Sequence, residues 1–156
     1  MIRNIRKTHF GIEGEMDCKL FNQQIGVMAD EEVNEEYISK CADYLNNLPE
    51  ELIDHLCDAS IEYCKEFCED VGEGIPEINS KRDILKYIQP RSLIIEAPIG
   101  EQIVFHMELD CDWEIEHGLE WTINNGRVLY VGSFESEGGW REEEYYKQLS
   151  WNYAFK

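Results

Sequence analysis

Between residues 31 and 80 the chain has almost no positive charge: Lys40 and Lys65 stand against fifteen acids. Residues 101–156 repeat the imbalance, with four bases against twelve acids. The other fifty residues carry eight bases and six acids, so the formal charge of −19 sits almost wholly in two blocks. A field of that sign repels phosphate backbones and anionic head groups, which disfavours nucleic-acid and membrane-surface partners. A basic protein or a cation fits it better. The rival reading is that the charge only keeps the chain soluble.

Other absences narrow the field further. No run of 18 apolar residues is present, so no segment reads as a membrane-spanning helix. The basic start Met1–Lys7 is followed by no apolar stretch, so it does not read as a signal peptide. Six cysteines occur without a single Cys-x-x-Cys, and in an unexported chain they are expected to be free thiols of a reducing cytoplasm. Gly72-Glu73-Gly74 and Gly138-Gly139 are too short for phosphate loops, and no Walker or dinucleotide fingerprint occurs. His9, His55, His106 and His117 sit in no Ser or Cys nucleophile motif. No cofactor and no catalytic residue is therefore assigned, and an enzyme is not expected.

What is present is enough for one core. At 156 residues, with 43% apolar and 12% aromatic residues, the chain is one domain in size and too rich in Trp and Tyr to stay disordered. The glycines at 11, 14 and 26 punctuate short extended runs over residues 9–29, which predicts a hairpin-like start. Val33, Tyr37, Cys41, Tyr44, Leu45 and Leu48 recur at helical spacing, predicting a helix over 31–47 capped by Asp30. Asn47-Leu48-Pro49-Glu50 reads as the start of a second helix, which Gly72 should end. The link between the two is short enough to force an antiparallel pair. A third, short helix is expected from a Ser80 cap with Asp83 three residues on, ended by Gln89-Pro90.

Beyond Pro90 the period changes to two. Leu93–Ala97 and residues 102–113 read as strands, and in the second Ile103, Phe105, Met107, Leu109, Cys111 and Trp113 share one face. Leu119, Trp121 and Ile123 continue the alternation into Asn124-Asn125-Gly126, a strong hairpin signal. The aromatic tail after Gly138 is expected to be partly helical over 142–149 and to dock its last residues on the sheet. The resulting expectation is a single α+β domain over 1–156: an antiparallel β-meander packed against an antiparallel helix pair, with an N-terminal β-hairpin.

Two constellations bear on chemistry. Cys57, Cys64 and Cys68 fall within roughly 40° of one another on a helix, where thiolates could hold zinc or a cluster. The same stripe contains Ile53 and Phe67, which argues for ordinary core cysteines. The second is an acid ladder. His106, Glu108, Asp110 and Asp112 should project from the solvated face of the long strand about 7 Å apart, with Glu120 or Thr122 opposite on the next strand. Such a row suits a binding surface. It could also serve a divalent metal, or a hydrolase working through paired carboxylates, but a straight strand spreads ligands that such sites must converge. His106, Glu108, Asp110, Asp112 and Glu120 are thus the candidate binding residues, with no metal ligand assigned.

The segment Cys111-Asp112-Trp113-Glu114-Ile115-Glu116-His117-Gly118-Leu119-Glu120-Trp121, followed by Asn125-Gly126-Arg127 and Val131-Gly132, resembles a family of small acidic bacterial proteins of uncharacterised role. The stretch from Glu32 to Cys68 is similar as well. Some of those proteins are similar to immunity proteins encoded beside secreted toxins, which implies a non-catalytic interaction module. From the residues themselves, His117 and Gly118 read as a structural turn, with Gly118 free to take positive φ and His117 bonding across it.

Overall fold

The computed structural model covers residues 1–156. Seven strands form one sheet in chain order, β1 (Arg3–Thr8), β2 (Gly11–Cys18), β3 (Gln23–Ala29), β4 (Ile88–Ile95), β5 (Val104–Cys111), β6 (Leu119–Asn124) and β7 (Arg127–Gly132). Helices α1 (Glu35–Leu45) and α2 (Glu50–Val71), then a 3-10 helix over Lys81–Tyr87, separate β3 from β4. A short α3 (Glu143–Lys147) follows the sheet. The α+β expectation therefore holds, including the hairpin start and the β4–β7 meander. One pairing departs from it: β3 and β4 run parallel, in register from Gly26–Ser92 to Ala29–Ile95. Parallel neighbours need a long crossover, and the helical segment is that crossover.

Charge hid the first strand. β1 is Arg-Asn-Ile-Arg-Lys-Thr at the sheet edge, mostly exposed, with Arg3 on Asp17 and Arg6 on Glu13 holding it to β2. The extended run expected as two pieces is the single strand β2, and the chain turns at 19–22, where Asn22 takes φ 52°.

The helices start later than their patterns suggest. α1 is capped by Asn34, whose Oδ1 accepts the Tyr37 N–H at 2.8 Å. Asp30 instead accepts the Ala97 N–H at 2.8 Å, tying the exit of β3 to the exit of β4. Asn47 does not cap α2. Its amide donates back to the Asp43 carbonyl, and Pro49 occupies the cap position. Gly72 does end α2 in the left-handed conformation at φ 74°. The Asp83 carboxylate accepts the Ser80 N–H at 3.1 Å, as the capping box requires. Pro90 does not end that helix: it is buried inside β4, where a register shift between Pro90 and Ser92 accommodates its missing N–H.

The main core lies between the helices and one face of the sheet. Leu93, Ile95, Met107, Leu109, Leu119, Trp121 and Ile123 meet Leu56, Cys57, Cys64 and Ile84 there with almost no exposure. Two polar contacts fix the register of α2 on the sheet. The Trp121 indole N–H donates to Ser60 Oγ at 3.0 Å, and Tyr63 donates to the Gly118 carbonyl at 2.9 Å. All six cysteines are buried and unpaired. Burial pushes the Cys57 thiol up to about 11 and the Cys64 thiol up to about 12, opposing the thiolate that a metal would require.

The opposite face of the sheet is not left wet, contrary to the alternation pattern. β6 and β7 are buried on both faces. Residues 133–141 cross the outer face of the meander as a strap, and Leu129, Tyr130 and Tyr146 form a second small core beside it. Gly139 sits flat on the sheet: a Cβ there would lie 2.6 Å from Val104 Cγ1. The strap is anchored by Asn124 to the Gly139 carbonyl and by Tyr146 to the Gly138 carbonyl, both at 2.8 Å. The tail then rounds the free edge of β7, where Asn152 and Tyr153 bond its backbone, and Tyr153 stacks on Tyr63 in the main core.

Candidate functional site

The acid ladder occupies the outer face of β5 and β6. His106 pairs across the sheet with Thr122, and Glu108 with Glu120. The strap divides this row into three environments.

Glu120 lies at the closed end. It is 0% exposed, and its carboxylate receives the backbone N–H of Glu135 at 3.0 Å, that of Glu137 at 3.1 Å and the Thr122 hydroxyl at 3.1 Å. Positive φ at Ser136 and Gly138 curls the strap so that its N–H groups face one acceptor, an anion nest filled from within the chain. Burial nevertheless dominates and pushes the Glu120 carboxyl up to about 7. His106 is 2% exposed beneath Phe134, and its Nδ1 stands 3.3 Å from Glu120 Oε2 without the alignment of a hydrogen bond. Burial lowers the imidazole to about 4. The expectation that His106 and Glu120 face solvent is corrected. Phe134 and the strap backbone at Glu135 and Glu137 cover this end of the sheet, so neither side chain can touch a partner while the strap is in place.

The other members remain accessible. Glu108 is half-buried, whereas Asp110 and Asp112 are exposed. Asp110 is 3.6 Å from Arg91 and Asp112 accepts from Gln89 at 3.0 Å, so each is engaged by β4 rather than by its neighbour on the ladder. No three His, Cys, Asp or Glu side chains converge as metal ligands anywhere in the chain. The row is thus divided between buried and accessible members.

The turn after β5 is closed by bonds within the chain. Glu114 accepts the N–H groups of Glu116 and His117, and its Oε2 lies 2.6 Å from His117 Nδ1. The carboxylate raises the His117 pKa, through that bond first and its charge second. Gly118 takes φ 65°, and the His117 carbonyl accepts Phe134 N–H, which starts the strap.

Two surfaces were not singled out by residue in the sequence. The first is the solvent side of the helical block. Of the fifteen acids over residues 31–80, five pair with a cation: Glu36 with Lys40, Glu50 and Asp54 with Arg82, Asp58 with Lys81, and Glu66 with Lys156. The other ten, including Asp43, Glu51, Glu62, Glu69 and Glu73, have none. The second is a cleft of about 520 Å³ between the start of α2, the β6–β7 turn, α3 and Phe155.

Residues 1–138 match the profile of a domain of unknown function, DUF6985. The chain belongs to this family. No curated protein and no solved structure matches it.

The DUF6985 match contains the whole sheet, both long helices and the strap residues that grip Glu120, and it ends at Gly138. Gly139, α3 and the tail that rounds β7 lie beyond it. In this member of DUF6985 the cleft is therefore composite: its helical and hairpin walls fall inside the family region, and Glu143 and Phe155 fall outside. A sequence signal for the strap did exist. Val128-Leu129-Tyr130-Val131 is continuously apolar instead of alternating, the mark of a strand covered on both faces. No comparable signal announces the cleft, whose walls come from four separate stretches of chain.

Proposed function

We propose that this chain is a non-catalytic protein-interaction module that docks on a basic partner through the acidic surface of α1 and α2. The observation that carries the reading is the set of ten acids over residues 31–80 that face no cation. Unpaired surface charge of one sign destabilises a fold slightly but accelerates encounter with an opposite surface and selects against wrong partners. Asp110 and Asp112 extend the same sign onto the far side of the sheet. The reading is immunity-like: a basic nuclease toxin, neutralised in a bacterial cytoplasm where six free thiols stay reduced, is the kind of partner whose surface complements this one.

The test is association kinetics with a protein of high isoelectric point that co-purifies with the native chain at low salt. The association rate should fall steeply between about 50 mM and 500 mM salt, as screening over a Debye length dictates. A partner whose rate is indifferent to salt contradicts the proposal.

A further inference from the structure

The cleft at the joint of the two helices offers more than a charged surface. Its volume of about 520 Å³ is that of a small-ligand site. Leu52 and Val128 give it buried apolar lining. Tyr44 from the last turn of α1 and Phe155 from the tail add aromatic rings.

Its polar lining sets the carboxylates of Glu51 and Glu143 beside the Arg127 guanidinium, the His55 imidazole and the Tyr44 hydroxyl. Glu51 is exposed and has no ion-pair partner. Arg127 donates one N–H to Glu143 at 3.0 Å, and His55 Nε2 lies 2.7 Å from the Ala154 carbonyl. The same corner already engages cations within the chain. Glu143 pairs with Lys147 as well as Arg127, and the Lys147 ammonium lies 5.7 Å from the centre of the Phe155 ring. A cleft with two aromatic rings, apolar lining and one unpaired carboxylate, Glu51, complements a cation on an aliphatic stem.

We infer that this cleft is the socket for an arginine or lysine side chain of the basic partner, an anchor set at the edge of the surface that steers it. The inference rests on the interaction reading above and gives it a point of specificity. Interfaces draw much of their affinity from one or two anchors seated in pockets, with long-range charge governing the rate of arrival. Glu51 both lines the cleft and belongs to the unpaired acids of the helical block, so the two functions are contiguous.

The probes are N-acetyl-arginine amide and N-acetyl-lysine amide, with the norleucine and glutamate analogues as controls, each titrated into the full chain and followed by amide NMR. The cationic probes should shift Gly126, Val128 and Phe155 saturably, at an affinity on the order of millimolar for so small a ligand. Norleucine should bind several-fold more weakly and glutamate not at all. Glu51→Gln and Phe155→Ala, both at accessible positions, should each weaken the arginine probe about threefold or more. Saturable binding of the glutamate probe would overturn the inference, because Arg127 would then be the anchor. Cationic shifts spread along α2 without saturation, or none at all, would overturn it too. Glu62→Lys, Glu69→Lys and Glu73→Lys together should leave the cleft titration unchanged while slowing partner association. If the socket fails but that triple variant still slows association, steering stands alone. If the socket binds and the triple variant has no effect, the steering surface is what fails.

Discussion

His106 Nδ1 and Glu120 Oε2 lie 3.3 Å apart beneath the strap, and burial moves their titrations in opposite directions. Between about pH 4.5 and 6.5 the unfolded chain carries its proton on the imidazole and the folded chain carries it on the carboxyl. The proton count is the same in both states, so this pair adds no slope to stability against pH.

Single substitutions should expose the hidden slopes. In Glu120→Gln only the depressed imidazole remains. Its contribution is full above pH 6.5 and is lost as pH falls toward about 4. In His106→Gln only the raised carboxyl remains. Its contribution is full below pH 4.5 and is lost as pH rises through about 7. Each slope should amount to on the order of 3 kcal/mol across its window. Urea unfolding at several pH values reads all three proteins. Parallel pH profiles for the two variants would contradict the pairing.

Asn152 closes the β7 edge of the sheet with its side chain. Its amide accepts the Val131 N–H at 3.0 Å and donates to the carbonyls of Leu129 and Tyr146 at 2.8 and 3.0 Å. A carboxamide here imitates a neighbouring strand and spares β7 the exposed edge that recruits other chains. Asn152→Ala should cost about 2–4 kcal/mol, because buried backbone groups lose partners that water cannot replace. It should also promote self-association, visible by light scattering at high protein concentration. A variant as stable and as monodisperse as the parent would refute this role.

Two glycines with different constraints should fail for different reasons. Gly118 has φ 65°, and a Cβ there would lie 2.7 Å from the Leu109 carbonyl oxygen, so Gly118→Ala meets rigid backbone as well as an unfavourable conformation. Gly139 has no φ constraint, and its Cβ would meet the side chains of Val104 and Thr122. Both should lose about 1–3 kcal/mol. Only Gly139→Ala should lift the strap, which hydrogen exchange at Glu135 and Glu137 would detect. Equal exchange in the two variants would show that the strap is not seated through Gly139.

The parts of this fold legible in the sequence are those where one local rule acts without competition. Asn125 and Gly126 take φ 50° and 80°, and the hairpin stands where their identity places it. Gly72 stops α2 and Ser80 with Asp83 starts the 3-10 helix for equally local reasons. The inward set Phe105, Met107, Leu109, Trp121 and Ile123 follows from period-two alternation. Illegible were the features that depend on distant chain. β1 is a strand because its backbone pairs with β2, whose carboxylates also meet its arginines. Asp30 forgoes capping α1 because Ala97, far along the chain, offers its N–H. His106 and Glu120 leave solvent because the strap, with Phe134 and the backbone of Glu135 and Glu137, lies over them, so the candidate ladder was read correctly as one face and wrongly as one environment.

The claim on which the functional account rests is that charge acts from a place and not merely as a sum. Two triple variants of equal net charge decide it: Glu62→Lys, Glu69→Lys and Glu73→Lys on the helical block, against Glu101→Lys, Glu116→Lys and Glu142→Lys elsewhere on the surface. With the co-purified basic partner at low salt, the helical set should lower the association rate about tenfold or more, and the distributed set only slightly. Equal losses from the two sets would contradict the account and leave the acidic surface with solubility as its only role.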